Sequence, residues 1–208
     1  MTNELEPQRT SLDPVTIHAD LSEWIIKVTG ETNAIISEFD RPSGSGMSSE
    51  TLLFESTWGE AENEVHKKLV ARLAPTDQDI PVFPNYNLSS QVKVMKLVEQ
   101  LTDIKVPKVL WEEASIDVLG VPFFVMEQVQ GRVPPDIPPY VFGGWLFDAT
   151  PESQLQLQEL CVGIIAQLHQ IKQKSPDTDF LEFHTKGDTA LERHFTNPVS
   201  YTHLTLPT

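Results

Sequence analysis

The 208-residue sequence predicts an α+β fold: a five-stranded antiparallel sheet with a helix inserted after its third strand, followed by the start of a helical second part. Three observations predict it. Five short runs are rich in β-branched and aromatic residues and are bounded by turn residues. Three longer stretches carry apolar residues three and four apart, the helical spacing. The order is helix, three strands, helix, two strands, a Pro- and Gly-rich linker and a long helix.

Residues 1–19 are polar and read as a loose arm. Asp20-Leu21-Ser22-Glu23 opens the first helix, with Asp20 as N-cap and Glu23 three positions on. Leu21, Trp24, Ile25 and Val28 share one face, and Gly30 stops the helix. Ala34–Phe39 and Thr51–Trp58 read as strands joined by the small-residue loop 41–49, a hairpin with a long tip. The third strand covers Lys68–Leu73, and 74–87 is a Pro/Asp/Asn-rich connection. Leu88–Leu101 is a helix with a stripe of Val92, Met95, Val98 and Leu101. Val109–Glu112 and Phe123–Glu127 are the last two strands, with a turn at 117–122. A long helix runs from Glu152 to Lys174, its buried side marked by Leu155, Cys161, Ile164, Leu168 and Ile171. Residues 175–198 are weakly patterned, with one short helix at Thr189–Phe195.

Composition narrows the function. A formal charge of −15 argues against nucleic acid or an anionic membrane as partner, since both call for a basic surface. The single cysteine, Cys161, excludes an internal disulfide and reads as a small buried hydrophobe. No apolar run reaches membrane-spanning length, and the first residues lack a basic region followed by an apolar one, so the expected location is the cytoplasm. Residues 199–208 (Val-Ser-Tyr-Thr-His-Leu-Thr-Leu-Pro-Thr) match the reading-frame translation of a transposon adapter used in sequencing libraries. The expectation is a non-native tail, with 1–198 the front part of a longer protein.

Three places could carry chemistry. Gly44-Ser45-Gly46-Met47-Ser48-Ser49 links two strands, and its small side chains would let backbone N–H groups approach a phosphate. A Walker loop or a dinucleotide fingerprint would need a following helix, which the strand-like 51–58 is not; a plain flexible hairpin tip is the rival reading. Arg72, in the third strand, stands where kinase-like folds hold a cation for the nucleotide phosphates, and Gln91 on the next helix would be its partner; a solvent-facing charge on a half-buried strand is the rival reading. Phe123–Gly131 runs from a strand into a Gly-containing linker, as a hinge would. The histidines His18, His66, His169 and His194 show no metal-ligand spacing.

With these residues the chain resembles the aminoglycoside phosphotransferase and choline kinase-like family. Within it, the likeness leans to kinase domains related to those fused to some acyl-CoA dehydrogenases. The residues that carry it are 44–51, Val70-Ala71-Arg72-Leu73, Val106–Trp111, Gly120–Glu127, Gly131-Arg132-Val133-Pro134 and Ala166-Gln167-Leu168-His169. The resemblance implies a protein-kinase-like N-terminal lobe over 20–128, then a hinge and the beginning of a C-terminal lobe over 129–198. It implies ATP or GTP with Mg²⁺, and transfer of the γ-phosphoryl to a hydroxyl on a small acceptor such as an aminoglycoside or a hydroxyacyl-CoA. Gly44, Ser45, Gly46, Met47 and Ser48 would cover the phosphates and Arg72 would anchor them, oriented by Gln91. Met126, Glu127 and Val129 would meet the base, the last two through backbone atoms.

Two departures bear on this. The family's strand-three lysine and helix glutamate are Arg72 and Gln91 here, an exchange that keeps a cation and an acceptor. The catalytic loop, His-x-Asp-x-x-x-x-Asn, and the later metal-binding Asp do not occur before residue 198. His184-Thr185-Lys186-Gly187-Asp188 has the wrong spacing, with Arg193 where the Asn would stand, and reads as a surface loop. The chain as given is therefore expected to be catalytically inactive. The alternatives are a nucleotide-binding pseudokinase or scaffold, and a non-kinase α+β domain in which the hinge match is chance.

Overall fold

Asp13-Pro14 starts the first helix of the computed structural model, which describes residues 12–40, 50–60, 62–76, 86–134, 139–171, 176–181, 187–189 and 191–193. Helix α1 spans Pro14–Thr29. Its start lies upstream of the expected Asp20, so the polar arm is shorter than 1–19. Asp13 caps it, accepting from the Thr16 N–H at 2.9 Å and the Thr16 hydroxyl at 2.7 Å. Pro14 fits the first turn because its missing N–H would have had no intrahelical partner. These bonds hold the Asp13 carboxyl below its ordinary range. Gly30, at φ 74°, ends the helix in the left-handed conformation that L side chains disfavour.

The sheet has the order β1-β2-β3-β5-β4, every neighbouring pair antiparallel. Its strands are β1 (Ile35–Ile36), β2 (Glu50–Trp58), β3 (Val65–Leu73), β4 (Val109–Glu113) and β5 (Phe123–Glu127). The expected strand at Ala34–Phe39 is cut short. Pairing passes from Ile36↔Ser56 to an isolated bridge at Asp40↔Leu53, which puts one extra residue on the first strand. Ser37 fills the gap: its hydroxyl takes the Glu55 N–H at 2.9 Å, and its own N–H donates to the Glu55 carbonyl at 2.9 Å. β3 begins three residues earlier than expected, because β2 runs on to Trp58 and carries Val65 with it. The β2–β3 turn needs Gly59, at φ 90°, where a Cβ would lie 2.6 Å from the Asn63 carbonyl oxygen.

Each sheet face has its own core. Leu52, Phe54, Leu69, Ala71, Leu73, Phe123 and Val125 face α1, where Ile17, Leu21, Trp24 and Ile25 cover them. Trp24 packs edge-on against Phe123, ring centroids 4.7 Å apart, and its indole N–H reaches Glu113 at 3.1 Å. The opposite face presents Phe124, covered by Leu88 and Val92 of helix α2 (Leu88–Leu101). Asn87 caps α2 by accepting the Ser90 N–H at 2.9 Å. Leu101, expected in the buried stripe, is exposed, and Leu88 takes its place in the packing.

Helix α3 spans Pro151–His169, five residues short of the expected end at Lys174. Its expected buried side is overturned. Leu155 is 54% and Ile164 43% exposed, Cys161 is exposed, and no residue of the helix is buried. Apolar periodicity marks a face suited to burial; no element among the described residues covers this one.

The chain divides into two compact units, Met1–Gln170 and Ile171–Thr208. In the second, a 3-10 turn spans Pro176–Leu181. There Thr189 and Glu192 form a capping box. The Glu192 carboxylate accepts the Asp188 and Thr189 N–H groups at 2.9 Å each, and the Thr189 hydroxyl accepts the Glu192 N–H at 3.1 Å. Among the described residues no helix is long and apolar enough to cross a membrane.

Candidate functional site

The sheet face under α2 holds two of the described candidates, Arg72 and Met126. Strand alternation sends Leu69, Ala71 and Leu73 into the α1 core and Val70 and Arg72 to the other side. Arg72 sits on the central strand, directly opposite Thr51 on β2 and Phe124 on β5, and is half-buried. Phe124 is the residue that Leu88 and Val92 cover, so α2 lies against the same face.

Gln91 adjoins Val92 on α2 and is half-buried. Among the described residues its side chain makes no hydrogen bond, to Arg72 or to any other group. Met126 lies opposite Val70 on β3 and Val109 on β4, and packs against the α2 core. Leu53 pairs with Val70 from the other side, so Leu53, Val70 and Met126 form an apolar row beside Arg72. Gly44, Ser45, Gly46, Met47 and Ser48 fall outside the described residues; the stems of their loop are Asp40 and Glu50.

The sheet ends at Glu127. Its N–H donates to the Lys108 carbonyl at 2.9 Å, and the Gln128 N–H donates to the Lys68 carbonyl at 2.9 Å. The Glu127 amide is thus committed to the sheet. Val129 is 66% exposed, and among the described residues neither its N–H nor its carbonyl is hydrogen-bonded. Beyond it Arg132 lies 4.6 Å from the Trp145 ring centroid, and the Trp145 indole N–H donates to the Val133 carbonyl at 3.0 Å. These contacts fold 131–134 back onto 145.

Two charged features escaped sequence reasoning. Lys67 pairs with the Glu127 carboxylate on the α1 face. On the α2 face, Glu55 accepts Lys68 at 3.1 Å and stands 3.2 Å from His66, whose other ring nitrogen meets the Thr57 hydroxyl at 2.8 Å. Lys68 first and His66 second hold the Glu55 carboxyl below its usual range. Opposite charges on different strands carry no legible signal until the register is known. Among the described residues no three His, Cys, Asp or Glu side chains come together to hold a metal ion. A scan against models of known protein families finds none that matches the chain.

Proposed function

We propose that this chain binds a purine nucleoside triphosphate as the N-terminal lobe of a kinase-like small-molecule O-phosphotransferase does. The observation that supports the reading is the shared sheet face: Arg72 on the central strand and the helix that follows that strand lie together there. Phosphoryl-transfer enzymes of this class set a strand-three cation and the next helix against the phosphates, under a Gly-rich loop. Here the loop is 41–49, the cation is Arg72, the apolar row Leu53–Val70–Met126 faces the base, and the Glu127 carbonyl and Val129 backbone meet its edge. Transfer itself needs a carboxylate near the acceptor hydroxyl, and the described residues offer no such group in the expected motif.

Titration of the chain with ATP and Mg²⁺ by calorimetry tests the reading. Saturable binding is expected, weakened about tenfold or more by Arg72→Ala, the size of a lost charged hydrogen bond. Absence of saturation at millimolar nucleotide would retire it. A nucleotide-binding scaffold without transfer is the second reading, favoured by Arg72 and Gln91 standing for lysine and glutamate. Binding without phosphoryl transfer to any hydroxyl acceptor, in a chain extended to include an acid-bearing loop, would select it.

A further inference from the structure

We propose that Lys67 is a positioning residue for nucleotide recognition, acting through Glu127; the proposal rests on the nucleotide-binding reading above. Three ties converge where β5 ends. The Glu127 N–H is bound to the Lys108 carbonyl, the Gln128 N–H to the Lys68 carbonyl, and the Glu127 carboxylate to the Lys67 ammonium. A peptide group is planar and trans, so a carbonyl points opposite to the N–H of the residue that follows. The Gln128 N–H points at β3, and the Glu127 carbonyl therefore points away from β3, past the start of β4. That is the acceptor an adenine amino group requires.

The ladder stops at this peptide, since β5 ends at Glu127 and Val129 is already exposed. Within this peptide only the Gln128 N–H is paired among the described residues, and the Glu127 carbonyl has no hydrogen bond to hold it. The Lys67–Glu127 pair restrains it from the α1 face, where Trp58 and Trp111 also lie, their rings 6.1 Å apart. The two charged side chains are 34% and 37% exposed, less solvated than a typical surface pair. Without Lys67 the Glu127 side chain is released, and the peptide that carries the acceptor gains freedom to rotate.

The test separates this from a general loss of stability. ATP and purine riboside triphosphate, which lacks the amino group, are titrated into the parent chain and into Lys67→Met, Lys67→Arg and Glu127→Gln. Lys67→Met is expected to weaken ATP about fivefold and to leave the amine-free nucleotide within about twofold, with Lys67→Arg restoring ATP. Glu127→Gln should repeat the Lys67→Met pattern, and decides the matter if Lys67→Met does not fold. An equal loss for both nucleotides, or no loss for ATP, overturns the proposal. A parent chain that binds neither nucleotide retires the nucleotide reading, and this one falls with it.

Discussion

Leu21 and Leu155 make a matched pair for perturbation. Both are leucines on the apolar side of a helix, and periodicity alone treats them alike. The structure does not: Leu21 is fully buried against the sheet, and Leu155 is 54% exposed. Leu21→Ala removes three carbons from the core, about 2.4 kcal/mol at ~0.8 kcal/mol each. The residual cavity raises the expected loss to about 3 kcal/mol. For a chain of this length that lowers Tm by roughly 6–12 °C. Leu155→Ala should cost under about 0.5 kcal/mol, since little burial is lost. Urea unfolding followed by tryptophan fluorescence reads both, and Trp24 reports directly on the core that Leu21 fills. A Leu21→Ala loss below about 1 kcal/mol, or a Leu155→Ala loss equal to it, would refute the assignment of the core to the α1–sheet interface.

Two further outcomes are expected. The Asp13 carboxyl is held below its ordinary value of 3.8 by the Thr16 bonds, so its capping contribution is full above that value and fades as pH falls through the lowered one. Asp13→Asn caps without titrating. Its acid unfolding, followed by circular dichroism, should lose a small part of the parent's pH dependence below that value; identical acid profiles would count against the cap. Cys161 is exposed, so a thiol reagent should modify it in the folded chain at a rate close to that in denaturant. Strong protection would show that the α3 face is covered in solution.

Local signals were legible where the elements depend on local chemistry. Helix Leu88–Leu101 and strand Phe123–Glu127 fall where the sequence places them, because their apolar spacing and flanking turn residues agree. Gly30 stops α1 as expected, since only glycine adopts φ 74° without strain. The start of α1 differs from the expected Asp20, which has a glutamate three residues on: Asp13, with a proline after it and Thr16 within reach, caps the helix instead. The bulge in the first strand was hidden, because Ser37 replaces a ladder bond with its hydroxyl and leaves no compositional trace. Of the candidate site, the sequence nominates Arg72, Gln91, Met126, Glu127 and Val129 by residue type and order alone. It could not join Glu127 to Lys67 sixty positions away in the chain.

The sequence by itself determined the α+β class, the element order and the net negative charge. These follow from side-chain period, turn chemistry and formal charge, which each residue and its near neighbours settle. Only the tertiary structure decided that α1 and α2 cover opposite faces of one sheet, that Arg72 shares its face with α2, and that α3 carries its apolar residues exposed. The reason is that burial belongs to a pair of surfaces. A helix can advertise an apolar face in its own sequence, but only the fold supplies, or withholds, the surface that meets it.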